Sequence, residues 1–252
     1  MKNIVFGLYL LLTSLSIAQS SSSLASTKGL STEHFVGCDS QLSLFHFDKT
    51  ILTKITGDTT VNYSNFEFGN ITSVDISNPL KIVVFYRDFN QVVLLDNQLN
   101  ETERIHFEYD IRFVSRGTAN NLWLFATNTR RIENYNYKTN TVLASSQPLQ
   151  NVTIQRMKST ANYVYLQSET GIHSFDYLGN FISHYKHKNI DDFQYKNRVL
   201  YTLSNNKIFK VSETETLIDI PIVSKIKNFY TINNDFFIFD SSQLFHFTVN
   251  EN

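Results

Sequence analysis

Several residue types that shape protein architecture are scarce in this chain of 252 residues. It contains one cysteine, Cys38, so no disulfide can form within the chain. Three prolines and eight glycines leave long stretches without residues that interrupt regular structure. The formal net charge is −1 and no basic run exceeds a few residues, which excludes the electrostatic surface of a typical nucleic-acid-binding protein. Beyond the first residues, no apolar run is long enough to span a bilayer.

The first residues have the pattern of a secretory signal peptide. Lys2 supplies a positive charge, an apolar run follows from Ile4 to Leu12, and the small residues Ser16 and Ala18 form an A-x-A-like cleavage site. The apolar run is much shorter than the ~20 residues that a membrane-spanning helix needs. We therefore predict that residues 1–18 are removed and that the protein is exported to the periplasm or secreted.

The rest of the chain divides into a short leader and one domain. Residues 19–30 are rich in serine and have too few apolar residues to form a core, which predicts a flexible polar leader. Residues 31–252 contain nearly all of the 21 phenylalanines and 13 tyrosines, and aromatic residues favour strands. We predict a single all-β domain over this range.

A repeated pattern of apolar segments runs through this domain. Each unit starts with an isoleucine followed three residues later by a second apolar residue, and an apolar strand begins about ten residues further on. The starting residues are Ile71, Ile111, Ile154, Ile190 and Ile226, at intervals of 40, 43, 36 and 36 residues. A third apolar strand and a more polar fourth strand complete the unit, and all three prolines fall between predicted strands. Four-stranded units with a period of about 40 residues are typical of β-propeller blades.

The two ends of the repeat predict how the ring closes. Upstream, Phe35–Val36 and Leu42–Phe47 match the second and third strands of a unit and Ile51–Ile55 the fourth, so the first unit lacks a first strand. Downstream, the last unit stops at Asn252 without a fourth strand. We therefore predict a β-propeller of about six four-stranded blades, closed by pairing of its N- and C-terminal strands, with the segment around Leu30–Val36 completing the last blade.

The period and strand order resemble those of a known superfamily. The units are similar to repeats of the quinoprotein-like and WD40-like propeller superfamily over roughly residues 34–250, and the short exported chain resembles small propellers of Bacteroidetes-type bacteria. The turn Asp176-Tyr177-Leu178-Gly179-Asn180 carries the closest local likeness. The resemblance implies a propeller fold. It does not imply quinone binding, because quinoprotein repeats place one tryptophan in each blade and this chain has only Trp123.

Candidate catalytic and metal-binding residues are few. His184 and His187 lie near Asp191 and Asp192 in the sequence, and two histidines with a carboxylate are a ligand set for zinc. Two lysines flank His187 and would repel a cation, so we favour the alternative that this segment is a solvated loop, and we predict no metal and no cofactor. Nucleophile-elbow, HExxH and phosphate-binding glycine motifs are absent. The sequence therefore favours a non-enzymatic protein.

Two sets of residues are candidates for ligand or partner binding. The first strand of each propeller blade lines the central channel, so polar residues of these strands converge on the axis. This channel set consists of Ser73, Arg112, Arg156, Asp191, Asp192 and Lys227. The second set lies in turns between second and third strands on one rim, where arginine and aromatic side chains are favoured anchors for protein partners. This rim set consists of Arg87, Asp88, Phe89, Arg130 and Arg131. The alternatives are channel charges that only neutralise one another and an ordinary charged rim.

These observations favour an exported, non-enzymatic propeller of the cell envelope or secreted space that acts as a scaffold. We expect its partner to be another envelope or secreted protein, with no nucleic acid and no membrane span, and we expect a monomer. The alternative is binding of a polar small molecule or carbohydrate at the channel mouth, with or without catalysis. A propeller supports either role, so the choice depends on the site.

Overall fold

The architecture is all-β. A computed structural model describes residues 21–221 and 224–250, and the predicted signal peptide, residues 1–18, lies outside the described residues. The described residues form 24 strands and one 3-10 turn, Arg87–Phe89. The strands are arranged in six antiparallel four-stranded sheets, the blades. No helix in this part of the chain is long and apolar enough to cross a membrane.

The strands of a blade follow one another along the chain from the first strand outward, except in blade 6. Blade 1 consists of β2 (His34–Cys38), β3 (Leu44–Asp48), β4 (Ile51–Thr56) and β5 (Thr59–Ser64). Blade 2 consists of β6 (Ser73–Asp75), β7 (Ile82–Tyr86), β8 (Gln91–Leu95) and β9 (Glu101–His106). Blade 3 consists of β10 (Ile111–Arg116), β11 (Asn121–Ala126), β12 (Arg131–Asn136) and β13 (Thr141–Ser145). Blade 4 consists of β14 (Ile154–Ser159), β15 (Tyr163–Ser168), β16 (Gly171–Asp176) and β17 (Phe181–Lys186). Blade 5 consists of β18 (Asp192–Lys196), β19 (Val199–Ser204), β20 (Lys207–Val211) and β21 (Glu215–Ile218). Blade 6 consists of β22 (Asn228–Ile232), β23 (Asp235–Phe239), β24 (Gln243–Asn250) and β1 (Ser21–Gly29).

The residue pattern of each strand reflects how much of the strand neighbouring blades cover. Strands β7 and β8 are buried at every position, because blade 1 packs on one face of blade 2 and blade 3 packs on the other. The outer strand β9 faces solvent and buries only Ile105. Inner strands are therefore continuously apolar and outer strands are mainly polar.

Apolar cores between neighbouring blades hold the ring together. Between blades 1 and 2, Phe45 and Leu52 pack with Val84. Between blades 6 and 1, Phe237 packs with Phe35 and so completes the circle. Each of the six junctions in the described residues has a core of this kind. The predicted propeller of six four-stranded blades is confirmed.

The N-terminal strand closes the last blade. β1 pairs antiparallel with β24 along its whole length, from Ser21 opposite Asn250 to Gly29 opposite Gln243. The predicted closure by pairing of the terminal strands is confirmed. The segment proposed for it is wrong, because residues 21–29 and not Leu30–Val36 form the closing strand.

The predicted flexible leader, residues 19–30, needs the same correction. Residues 21–29 form a strand, with one shift of register between Leu24 and Ser26, that belongs to the domain expected to start at residue 31. The side chains of residues 22–29 remain largely exposed, with Leu24 at 54%. Backbone hydrogen bonds to β24 fix the strand, and they require no particular side chain.

Blade 1 is complete, and the prediction that it lacks a first strand is wrong. Phe35–Val36 lies in β2, the first strand of the blade and not the second. The fourth strand is β5, whose polar sequence buries only Tyr63. Apolar alternation marks a strand, but it does not tell how far that strand lies from the axis.

Candidate binding site in the central channel

The first strands of the blades surround a cavity on the propeller axis. Strands β2, β6, β10, β14, β18 and β22 all contribute side chains to this space of about 390 Å³. A volume in this range is usual for a small-molecule site. Its walls combine apolar side chains such as Val74 and Met157 with the polar side chains of Gln155, Gln194 and Ser115. The channel is therefore open and partly polar.

Three cationic side chains line this cavity without a carboxylate partner. Arg112 lies near the start of β10, Arg156 in β14 and Lys196 at the end of β18. No carboxylate oxygen of the described residues lies within 4.0 Å of their nitrogen atoms. Arg112 Cζ lies 5.3 Å from the ring centroid of Phe113, and Lys196 Nζ lies 5.9 Å from that of Tyr230. We call Arg112, Arg156 and Lys196 the channel cations.

Asp75 contributes a carboxylate to the cavity wall, but its oxygen atoms are already occupied. Oδ2 accepts hydrogen bonds from Ser115 Oγ at 3.0 Å and from the backbone N of Arg116 at 2.9 Å. Oδ1 accepts one from the backbone N of Ser77 at 2.9 Å. Asp75 therefore joins blade 2 to blade 3 and does not form an ion pair with a channel cation.

Lys158 forms an ion pair that joins blades 4 and 5. Its Nζ lies 3.0 Å from Oδ1 of Asp192, a residue that is only 3% exposed. Burial lowers the pKa of the Lys158 amine, and the charge of Asp192 opposes this shift. Burial also lowers the pKa of Lys196, and Asp75 is among the groups that oppose it. Lys158 already has a carboxylate partner, whereas Lys196 has none within ion-pair distance in the described residues.

The predicted channel set divides into two halves. Ser73, Arg112 and Arg156 line the cavity. Asp192 is buried and pairs with Lys158, which itself lines the cavity. Asp191 precedes β18 and is exposed, and Lys227 precedes β22 and donates to the backbone oxygen of Glu33 at 2.6 Å. Asp191 and Lys227 do not line the channel cavity because each precedes its inner strand, and Asp192 does not line it because its carboxylate is buried against Lys158.

Three charged residues of the site were missed by the sequence pattern. Asp75 and Lys158 each lie two positions after a predicted residue, Ser73 or Arg156, on the same face of a strand. The two-residue period was therefore a usable signal for both. Lys196 lies four positions after the predicted residue Asp192 in β18, so the same two-residue period was a usable signal for it as well.

The rim set divides into an exposed part and a structural part. Arg87, Asp88 and Phe89 form the 3-10 turn between β7 and β8, and none of them is buried. The Phe89 ring lies 6.4 Å from that of Phe68. Arg130 and Arg131 donate to backbone carbonyl groups in the connection between blades 3 and 4, at 2.6 to 2.9 Å. These two arginines therefore shape the rim, whereas the turn at 87–89 remains available for contact.

The two histidines of the candidate metal motif contact different neighbours. His184 stacks on His173 with ring centroids 4.0 Å apart, and His187 Nε2 lies 3.9 Å from a carboxylate oxygen of Glu215. Within residues 21–221 and 224–250, no group of three or more His, Cys, Asp or Glu side chains is arranged to hold a metal ion.

Cys38 is fully buried, and burial raises its pKa to about 12, so its thiol is unsuited to act as a nucleophile.

Comparisons with known proteins bear on the fold of this chain. No protein-family model and no curated protein matches the sequence. A catalytically inactive virginiamycin B lyase from Staphylococcus aureus, solved with quinupristin, matches with a TM-score of 0.59 and 9% identity, over 88% of this chain and 99% of that chain. The chain has a β-propeller fold. BamB from Moraxella catarrhalis matches this propeller with a TM-score of 0.53 and 9% identity, over 90% and 100% of the two chains. A chain of the mitotic checkpoint complex matches with a TM-score of 0.63 and 9% identity, over 98% of both. At such identities the likeness shows the fold alone.

Proposed function

We propose that this protein is an exported, non-enzymatic scaffold of the cell envelope or secreted space that binds an acidic segment of another protein at the mouth of its central channel. The observation that carries the proposal is the presence of the channel cations, Arg112, Arg156 and Lys196, in one cavity. Export rests on the predicted signal peptide, residues 1–18.

An acidic segment suits this channel because charge and shape act together. Low-dielectric walls concentrate the field of cations that line a cleft. Arginine side chains bind carboxylates through two parallel hydrogen bonds, which adds geometric specificity to the charge. Arg112 and Arg156 lie in the first half of neighbouring inner strands, whereas Lys196 is the last residue of its strand. A segment with several successive carboxylates would reach all three, whereas a single carboxylate would not.

The rim turn would add contacts beside the channel mouth. The connections between second and third strands lie at the propeller end where the first strands begin, so Arg87 and Phe89 share an end with Arg112 and Arg156. Phe89 is 50% exposed, and Phe66 in the preceding connection is 79% exposed. We propose that residues flanking the acidic segment contact Arg87 and Phe89. Membership of one structural neighbour in the mitotic checkpoint complex supports a scaffold role for such a fold.

A defined acidic peptide tests the proposal. Fluorescently labelled hexaglutamate should bind the wild-type protein at low ionic strength, and added salt should weaken the binding. The triple variant Arg112→Gln, Arg156→Gln, Lys196→Gln should bind it at least about tenfold more weakly, because three charge-assisted contacts are lost. Fluorescence anisotropy measures both constants.

A charge-matched variant serves as the control. Lys49, Lys188 and Lys207 are exposed residues outside the channel lining, and changing all three to glutamine alters the net charge by the same amount. This control should bind hexaglutamate as the wild type does. Equal loss in both triple variants would show that only net charge matters, and unchanged binding by the channel variant would refute the proposed site.

A second candidate function is binding of a polar small molecule or carbohydrate in the channel, with or without catalysis. The channel volume of about 390 Å³ favours it, and one structural neighbour is a lyase solved with quinupristin. Citrate, a compact polyanion, separates the two candidates. If citrate displaces hexaglutamate and binds at least as tightly, the small-molecule role is favoured, whereas preferential binding of the peptide favours the protein partner.

A further inference from the structure

A second cavity lies between blades 4 and 5. It encloses about 400 Å³, and tyrosine rings form much of its wall. These are the rings of Tyr163, Tyr165, Tyr185 and Tyr195, and the polar groups beside them belong to Ser174, Ser183 and Arg198. We call this cavity the tyrosine cleft. It reaches the propeller end where first and second strands connect, because Arg198 lies in that connection and Tyr163 begins β15. It therefore opens away from the rim set.

The cleft arises because few aliphatic side chains fill this junction. The buried core between blades 4 and 5 consists of Tyr165, Ile172, Ile190 and Phe193. The rings of Tyr165 and Tyr195 stack on each other at 4.1 Å. Tyr163 is 43% exposed, so its ring is accessible at the mouth of the cleft. The junction thus offers flat aromatic surface to a ligand.

Arg198 occupies a backbone conformation that its residue type disfavours. Asn197 and Arg198 form the two-residue turn between β18 and β19, with φ angles of 50° and 67°. Such turns require left-handed backbone, which favours glycine or asparagine at both positions. The next turn of the same blade follows this rule with Asn205 and Asn206, at 51° and 62°. Arg198 is therefore a strained choice, and strain of this kind is often retained for function.

The guanidinium of Arg198 also lacks an acidic partner. No carboxylate oxygen of the described residues lies within 4.0 Å of it, and the residue is exposed at the cleft. An unpaired guanidinium at the edge of an aromatic cleft attracts a carboxylate, which it binds with two parallel hydrogen bonds. The cleft therefore combines a site for a flat apolar face with a site for one negative charge.

We propose that the tyrosine cleft binds a sugar ring bearing a carboxylate, as in a uronic acid residue of an acidic oligosaccharide. The C–H face of such a ring packs on aromatic faces, and its carboxylate meets Arg198. The hydroxyls of Ser174 and Ser183 bond to each other at 2.7 Å and that of Tyr185 donates to Glu215, and each hydroxyl oxygen keeps acceptor capacity for a sugar hydroxyl. The site is separate from the channel cations and does not depend on the function proposed for them.

Calorimetric titration with tetragalacturonate tests this inference. The wild-type protein should bind it, and the fully methyl-esterified form, which lacks the charges, should bind at least about tenfold more weakly. Arg198→Asn should lose affinity for the acid to a similar extent. The same variant should raise the thermal midpoint by about 1–3 °C, because asparagine tolerates left-handed backbone better than arginine. A gain in midpoint would show that the loss of binding is not a folding defect.

Lys49→Asn provides a matched control. Lys49 is an exposed cation at a φ of 50° in a turn of blade 1, so this change also removes one charge and relieves similar strain. It should leave tetragalacturonate binding unchanged. The inference is overturned if the wild type does not bind tetragalacturonate, if Arg198→Asn binds it equally well, or if the methyl ester binds as tightly. Displacement by benzoate at equal affinity would also overturn it, since an aromatic acid would then satisfy the site.

Discussion

Two junctions of the ring are built from different kinds of side chain. Between blades 2 and 3 the core is aliphatic at its centre, with Val92, Leu94, Leu122 and Leu124 fully or almost fully buried. Between blades 4 and 5 the core depends on tyrosine, and a cavity of about 400 Å³ remains open beside it. Branched aliphatic side chains interlock at crystal-like density, whereas a tyrosine must keep its hydroxyl near a polar partner.

The junctions of one propeller therefore need not all serve the same purpose. A filled junction contributes mainly to the free energy of unfolding. A junction walled by tyrosine gives up part of that contribution and gains a surface on which a ligand can bind. The ring tolerates one such junction because apolar cores in the others still hold the blades in register.

Truncation of a central side chain in the filled junction should have the largest effect. Leu124 lies in the middle of β11 and is 0% exposed. Leu124→Ala should lower the free energy of unfolding by about 3 kcal/mol, since it removes buried methyl groups and leaves a cavity that the neighbours cannot fill. Urea denaturation monitored by tryptophan fluorescence measures the change. A loss below about 1 kcal/mol would show that this junction is less tightly packed than its side chains indicate.

The matching truncation in the tyrosine junction should cost less. Leu200 is partly buried and already borders the open cleft. Leu200→Ala should lower the free energy of unfolding by about 1 kcal/mol. The change removes less buried apolar area than Leu124→Ala does, and it creates little new cavity. The same urea titration applies. If both leucine variants lost equal stability, the proposed contrast between the junctions would be wrong.

Much of this fold was predictable because inner and middle strands alternate with short turns at a regular period. The closing strand was not, because residues 21–29 carry almost no apolar pattern and are held by backbone pairing with β24. Blade 1 was misnumbered for a related reason. Its fourth strand, Thr59–Ser64, buries only Tyr63, and so the preceding strands were each placed one position too far from the axis.

The site was predictable only in part, because strand membership fixes which face a side chain uses. Arg112 and Arg156 fall within inner strands and line the channel. Asp191 and Lys227 precede their strands, and Asp192 turns toward Lys158. The tyrosine cleft had no signal in the sequence at all, since its tyrosines come from strands of two blades and meet only when the ring is assembled.

The smallest effect should appear on blade 4 as a dependence on pH. His173 stacks on His184 and is partly buried. Burial lowers the pKa of His173 from its usual 6.5, and the charge of His184 lowers it further. As the pH falls below about 6.5, the unfolded chain therefore takes up a proton more readily than the folded protein, and stability present at neutral pH is lost.

Replacement of His173 isolates this contribution from those of other histidines. Burial also lowers the pKa of His34 and His46, so the wild-type thermal midpoint should fall between about pH 7.5 and about pH 5 from several causes. His173→Gln retains hydrogen-bonding capacity toward Ser168, the present partner of His173 at 3.0 Å, and removes one titrating ring. The fall in midpoint should then be smaller by about 1–3 °C, whereas parallel curves would mean that His173 titrates alike in both states. Such a result would leave the contrast between the two junctions intact, because His173 does not line the tyrosine cleft.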